Sequence, residues 1–329
     1  MTFYIILGLS SFLISLLGTR LTILALRKRN AYRQTVIPGQ PLPTHKGGGI
    51  AVVFAMLIYL MVADVSYGIV LSLLMLAAVS LLDDLIKVHT AIKLLVQVMA
   101  VAIPLTLLQV PVFSEDLPQW LDRGIAGFLW LWFINLFAFM DSSDGISPTE
   151  MICVSLGLCL ISIFNNTFPD ELSTYSLIMF SVGCGFLWWN WHPAKIYMGE
   201  VGSVPVGFLM GYLILLAILS GYGYAAIILP AYYLADGSIT IISRLIKGKR
   251  IFVSHSEHYH QIAIKKGMRT ETAVKFVFGV NLLLILLAVI ATMNPEIAML
   301  EAGVAYMCVF MVMGFFAYDH TIRQSENTK

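Results

Sequence analysis

Apolar runs recur along the chain at about 2–24, 47–64, 66–82, 91–110, 124–140, 150–167, 174–190, 203–220, 222–242, 273–293 and 299–318, separated by short polar segments. Most are close to the roughly 20 residues a helix needs to cross about 30 Å of hydrocarbon, and several are short. The run ending at Leu82 passes directly into Asp83 and Asp84. Backbone groups in lipid must be satisfied within their own segment, and the alternation of a membrane barrel is absent. The pattern therefore predicts an all-α, polytopic integral membrane protein of about eleven spans. No internal repeat, low-complexity tract or flexible linker divides residues 1–329, so a single transmembrane domain is expected. The first run has no basic leader segment and no small-residue cleavage site, and it reads as a retained span.

Composition removes the soluble alternative. With 59% hydrophobic and 12% charged residues and a mean hydropathy of +0.85, the chain has too little polar surface for an ordinary soluble domain. Cys153, Cys159, Cys184 and Cys308 lie inside apolar runs, as small buried hydrophobes and not as a disulfide framework. The net charge of +1 conceals a one-sided distribution and gives no nucleic-acid footprint. Arg27, Lys28, Arg29, Arg33, Lys46, Lys87, Lys195, the cluster from Arg244 to Arg269, Arg323 and Lys329 all fall on one side if the N-terminus is outside. The positive-inside rule makes that side the cytoplasm and leaves the C-terminus there too. Asp64, Glu115, Asp116, Asp122, Asp170, Glu171 and Glu296 fall opposite. The loops at about 27–46, 83–90, 141–149, 190–203 and 243–272 then share one face.

Those loops hold the residues able to do chemistry. Asp83 and Asp84 are adjacent carboxylates at a membrane surface, where repulsion and desolvation call for a cation. Lys87, at i+4 and i+3, is the local candidate. The pair reads either as a solvated helix end or as a site for a divalent metal or phosphate. Asp141 and Asp144, in Asp141-Ser142-Ser143-Asp144-Gly145, together with Asn135, place oxygens near one helix terminus. They suit Mg²⁺, which takes carboxylates plus substrate phosphates, and equally suit a capped turn. Glu200, flanked by Gly199 and Gly202, opens the next span, where glycine permits close approach of a ligand or a tight turn.

Two basic elements complete the surface. Pro43-Thr44-His45-Lys46-Gly47-Gly48-Gly49 has the composition of a phosphate-cradling loop without the P-loop order, and reads equally as a close helix crossing. His255, His258 and His260 follow Lys247-Gly248-Lys249-Arg250. Their spacing matches no common zinc site and suits diphosphate binding through Lys, Arg and His. Carboxylates facing cations around one site is the arrangement of metal-assisted phosphoryl transfer. A transporter would place its charges nearer the middle of broken helices, positions that are almost free of charge here.

The ordered set Pro43 to Gly48, Asp83-Asp84-Leu85-Ile86-Lys87, Asn135 to Gly145, Trp189 to Ser203 and His255 to Gln261 resembles the polyprenyl-phosphate N-acetylhexosamine-1-phosphate transferases. This is bacterial glycosyltransferase family 4, which includes phospho-MurNAc-pentapeptide translocase. The resemblance implies transfer of an N-acetylated sugar-1-phosphate from a UDP-sugar to undecaprenyl phosphate, releasing UMP, with Mg²⁺ (or Mn²⁺) at the cytoplasmic face of the inner membrane. It implies Asp83, Asp84, Asp141 and Lys46 as catalytic residues and Glu200 with Asp141 at the metal. Lys87, Asn135, Asp144, Asn190, Lys195, His255, His258, His260 and Gln261 would then bind substrate. Membrane lipids and a second copy of the chain are further expected partners. The His255, His258, Gln261 pattern and the Asn190-to-Lys195 run look nearer the branch that starts O-antigen or capsule repeats with 6-deoxy N-acetylated sugars, a lipopolysaccharide-type pathway. Ala138 stands where family members commonly have Asn, Ser142 where they have Gly, and Glu200 where they have Asp. Those departures favour altered sugar choice or a weakened homologue serving as a scaffold, and a polytopic transporter is the remaining alternative.

Overall fold

The computed structural model describes residues 2–29, 34–35, 44–165, 167–250 and 256–318. His255 and most of the 27–46 loop, including Pro43, lie outside them. The described chain is helical apart from a two-residue antiparallel ladder pairing Gln34–Thr35 with Thr44–His45. The helices are α1 (Thr2–Arg29), α2 (Gly49–Val62), α3 (Tyr67–Ile86), α4 (Thr90–Leu107), α5 (Gln119–Met140), α6 (Ile146–Phe164) and α7 (Asp170–Asn190). They continue with α8 (Glu200–Leu219), α9 (Gly223–Ile228), α10 (Ala231–Ile246), α11 (Tyr259–Lys265), α12 (Thr270–Met293) and α13 (Ala298–Ala317).

Among the described residues nine helices are long and apolar enough to cross a membrane. The expected eleven spans differ at two places. The run 47–64 forms the 14-residue α2, and the run 222–242 is broken into α9 and α10. The break falls at Leu229–Pro230 because proline has no N–H for the helical ladder and its ring crowds the preceding turn.

Side-chain size decides which helices are inside. On α1, Ser11, Ser15 and Thr19 recur every fourth residue and are fully buried, while Leu9, Leu13, Leu17 and Leu21 point outward. In lipid, close packing of small residues and interhelical hydrogen bonds replace hydrophobic burial as the glue between helices. Here the Ser15 hydroxyl donates to the Val182 carbonyl of α7 at 2.8 Å, and a Cβ on Gly185 would lie 2.6 Å from the Phe12 carbonyl oxygen. α8 is the centre of the bundle: 78% of its most apolar stretch is buried, against 22% for α1. It packs on α3, α5 and α2, with the Trp130 indole N–H donating to the Phe208 carbonyl at 2.8 Å.

Candidate active site

The N-terminus of α8 is where the polar loops meet. Gly47 and Gly48 N–H groups both donate to the Tyr197 carbonyl, at 3.1 and 2.9 Å, and Gly49 N–H donates to the Met198 carbonyl at 2.8 Å. The start of α2 is thereby laced to the segment leading into α8. A Cβ on Gly49 would stand 2.3 Å from both Cα and N of Gly202, so the glycines serve a close helix crossing. Gly199 holds φ +76°, where only glycine is at ease, and a Cβ there would meet an Asp84 carboxylate oxygen at 2.8 Å. The crossing sets Lys46 in place, so that its charge acts on both Asp84 and Asp141.

Adjacent in sequence, Asp83 and Asp84 have different partners. Asp84 accepts from the backbone N–H groups of Glu200 and Val201, at 3.3 and 3.0 Å, an anion on the positive end of α8. Asp83 accepts from Val88 N–H at 2.7 Å and from the Lys93 ammonium at 3.1 Å. Lys93 also donates to Glu200 at 2.9 Å, so one cation of α4 bridges carboxylates from α3 and α8. This corrects the expectation for Lys87. α3 stops at Ile86, Lys87 turns to φ +55° as its C-cap, and its exposed side chain is not among the ion pairs of the described residues.

Asp141 caps the end of α5. Burial pushes its carboxyl up to about 6, against a hydrogen bond from the Ser147 hydroxyl and the charge of Lys46, and with the repulsion of Asp84 added. Asp144 is buried within the protein. One oxygen accepts from His192 Nδ1 at 2.8 Å and Ala194 N–H at 3.0 Å, and the other accepts from the Tyr197 hydroxyl at 2.9 Å. Burial, then the Asp144 charge, holds that phenol well above its ordinary value. Asn190, also buried, accepts from Gly145 N–H at 2.9 Å and donates to the Ile196 carbonyl at 2.8 Å. Asp144 and Asn190 thus tie the 141–145 turn to the segment 192–197. Asn135 donates to Gln97 of α4 at 2.9 Å. Lys195 is exposed and lies 5.0 Å from the centre of the Trp189 ring.

The described part of the histidine loop, from Ser256, is anchored on Asp236 of α10. Asp236, inside the apolar run 222–242, is fully buried, and with the buried Glu150 on α6 it is an exception to span positions expected to be almost free of charge. It accepts from the Tyr232 hydroxyl at 3.0 Å, the Thr240 hydroxyl at 3.2 Å and Tyr259 N–H at 3.1 Å. His258 Nδ1 lies 3.3 Å and His260 Nδ1 3.5 Å from its oxygens. Gln261 accepts from His258 N–H at 3.3 Å, closing the first turn of α11. His260 Nε2 reaches Ser142 Oγ at 3.5 Å, joining the histidine loop to the Asp141 turn.

No group of three His, Cys, Asp or Glu side chains among the described residues forms a ready-made metal cage. Mg²⁺ does not need one, because it is ordinarily held by one or two carboxylates with substrate phosphates completing its shell. Asp141 fits that role, being a carboxylate that burial and Asp84 make costly to ionise without a cation. Glu200 fits less well as its partner, with one oxygen already on Lys93.

The sequence model of glycosyl transferase family 4 matches residues 66–218, the stretch holding Asp83, Asp84, Lys93, Asp141 and Glu200. That match covers a little under half of the chain, and makes this stretch similar to glycosyl transferase family 4. It is 30% identical over 173 residues to a phospho-N-acetylmuramoyl-pentapeptide-transferase of Buchnera aphidicola, covering 48% of this chain and 47% of that protein. It is 25% identical over 221 residues to a probable undecaprenyl-phosphate N-acetylglucosaminyl 1-phosphate transferase of Bacillus subtilis, covering 64% and 61%. The chain thus spans about half to three fifths of the length of these curated relatives. Lys46 and the histidine loop lie outside the matched residues, yet the structure brings both to the matched core. Lys93 was hidden in sequence by its place inside an apolar run, and Asp236 by the same kind of setting.

Proposed function

We propose that this protein transfers an N-acetylated sugar-1-phosphate from a UDP-sugar to undecaprenyl phosphate in the membrane, releasing UMP and starting a cell-surface glycan. The observation that carries the reading is the gathering of carboxylates and cations at one end of the bundle: Asp83, Lys93 and Glu200 in one cluster, and Lys46, Asp84 and Asp141 in the next. The activities named for the two relatives supply the substrate class. In this reading the acceptor is a lipid phosphate that arrives laterally, and Asp83 at the end of α3 meets it at the membrane surface. The acceptor oxygen forms a bond to the sugar-bearing phosphorus of the donor, and the bond from that phosphorus to the oxygen bridging to UMP breaks. Such transfers depend on positioning and on neutralising the diphosphate. Lys46 and Lys93 provide fixed positive charge, and Asp141 would hold Mg²⁺, which when bound offsets the negative charge of the diphosphate. We place the site at the cytoplasmic face of the inner membrane, on the one-sided distribution of Lys and Arg. We assign the sugar to the 6-deoxy N-acetylated class of O-antigen or capsule pathways, on the Asn190-to-Lys195 and His258-to-Gln261 segments.

The test is incubation of the purified protein with Mg²⁺, undecaprenyl phosphate and a panel of UDP-N-acetyl sugars. UMP and a lipid diphosphate sugar should form together and should both stop on chelation of the metal. Sustained UMP formation from the UDP-sugars without acceptor lipid would overturn the transferase reading, and so would the absence of UMP with every sugar in the panel.

A further inference from the structure

α12 starts where the histidine loop ends, and α13 runs back beside it to finish at the same end. In the halves of the two helices nearer that loop an open groove of about 480 Å³ runs between them, lined by Thr272, Lys275, Gly279 and Leu283 of α12 and by Cys308 and Met311 of α13. Gly279 shapes it: a Cβ there would meet no atom within 4 Å, so neither backbone conformation nor close approach within the chain calls for glycine at that position. From Thr272 to Leu283 is eleven helical steps, about 16 Å at 1.5 Å per residue. Half of a 30 Å hydrocarbon core is about 15 Å. The groove is therefore one leaflet deep. Its loop-side end is basic, because the stretch from Lys265 to Lys275 carries Lys265, Lys266, Arg269 and Lys275 against Glu271 alone. Glu271 is shared, 2.6 Å from the Lys275 ammonium and 3.8 Å from the Arg269 guanidinium, and both of those cations are largely exposed. An ammonium has three donors and a guanidinium five, so each keeps donors for another anion. Lys266 meanwhile donates to the Ala317 carbonyl, tying the same basic segment to the end of α13.

We propose that this groove is a binding site for an anionic phospholipid of the leaflet on the loop side, with one acyl chain between α12 and α13 and the headgroup phosphate at Lys275 and Arg269. An apolar slot one leaflet deep under a basic rim is complementary to such a lipid in both length and charge, and basic pockets between membrane helices are where anionic headgroups are held. The site is separate from the transfer chemistry and does not rest on the transferase reading. α12 and α13 pack on α6, α9, α10 and α11, whereas Asp83 and Lys93 stand on α3 and α4. A polyprenyl acceptor of eleven isoprene units is too long for a slot of this depth. A second copy of the chain, related by a two-fold axis along the membrane normal, would bring two basic rims together at one depth.

Photo-crosslinking locates the lipid. The full-length protein is reconstituted in phosphatidylcholine vesicles that carry a small, equal fraction of either phosphatidylglycerol or phosphatidylcholine with a diazirine in the acyl chain, and the labelled peptides are mapped by mass spectrometry. Phosphatidylglycerol should label the peptides spanning 272–283 and 308–312 at least about 5-fold more than phosphatidylcholine does, the scale for one basic side chain beside an anionic headgroup. Gly279→Leu places a side chain in the open space of the groove and should remove that labelling. Arg269→Gln with Lys275→Gln, both at exposed positions, should bring the ratio of the two lipids close to one while the chain still labels the groove. Equal labelling by the two lipids in the unsubstituted protein would overturn the proposal, and so would labelling that Gly279→Leu leaves unchanged. Displacement of phosphatidylglycerol from these peptides by added undecaprenyl phosphate would overturn it in favour of the acceptor lipid. A Cys308 disulfide joining two copies in the vesicles would overturn it in favour of a second chain. The comparison of the two lipids on the unsubstituted protein decides even if a variant fails to insert, and it reads the same whether or not the protein makes UMP.

Discussion

Two neighbouring aspartates illustrate how little chain adjacency says about role. Asp84 satisfies the first N–H groups of α8, so Asp84→Asn sets an amide NH₂ against backbone donors. The expected cost is about 1 kcal/mol, the scale of a lost helix cap, read as a lower thermal midpoint in detergent without substrate. Asp83→Asn keeps an oxygen for Val88 N–H but weakens the contact to Lys93. It should lower UMP formation by at least about 10²-fold, as for a positioned acid or base, with a smaller change in midpoint; the opposite ranking would refute this division. A second outcome at this scale concerns pH. His260 is harder to protonate in the folded protein than an unperturbed imidazole, whose pKa is about 6.5. Below that value the unfolded chain takes up a proton that the native chain resists, so stability falls as pH drops from about 6.5. Thermal midpoints between pH 7.5 and 5.5 should decline in the unsubstituted protein and decline less in His260→Gln; an equal slope would remove His260 as the cause. The acidic positions were legible in sequence because carboxylates at the ends of apolar runs stand out. Lys93 was not. It lies within Ala91-Ile92-Lys93-Leu94, and its second partner, Glu200, is 107 positions away. Lys87 was favoured by a rule that holds only while the helix continues, and α3 ends one residue earlier.

At the scale of elements, run length was enough to find the helices, since a buried span needs apolar residues over its whole length. It could not find the breaks. Pro230 divides one apolar run in two, and that division belongs to an element that carries Asp236 into the interior and Arg244 to the histidine loop. The triple glycine left two readings open, and the contact between Gly49 and Gly202 answers for a helix crossing. Gly49→Ala brings a methyl group to 2.3 Å from backbone atoms of Gly202 that cannot turn aside. α2 and α8 must then separate, at a cost of about 1–3 kcal/mol for overpacking a close contact, and Lys46 moves with them away from Asp84 and Asp141. Gly303→Ala on α13 meets nothing within 4 Å and should be neutral. Thermal unfolding of the two variants in the same detergent checks the contrast, and equal midpoints would show that the crossing is looser than the geometry requires.

At the scale of the whole molecule, the contacts impose a sidedness that hydropathy alone does not. Lys46 pairs along the backbone with Tyr197, Asp84 with the start of α8, Asp144 with His192 and Ser142 with His260. Loops from the whole length of the described chain therefore meet at one end. Asp122 gathers the Val112 and Phe113 N–H groups within a different loop, across α5 from the Asp141 turn. If α5 spans the membrane, Asp116 and Asp141 are on opposite sides. The meeting of loops then requires that Lys46, Asp84, Ser143, Gly202 and Lys265 share one compartment. That is satisfied only if the short α2 and the broken α9–α10 each cross, because each changes side once between residues that must end up together. Single cysteines at those five positions and at Asp116, in a variant lacking the four native cysteines, should divide under a membrane-impermeant thiol reagent. Asp116 should react in intact cells, and the five should react only after the membrane is opened. The Lys and Arg residues on the five-loop side lead us to propose that this side is the cytoplasm. Reaction of the Lys265 position from outside while the Asp84 position stayed protected would mean that α9–α10 does not cross, and a single site built from both loops would be excluded.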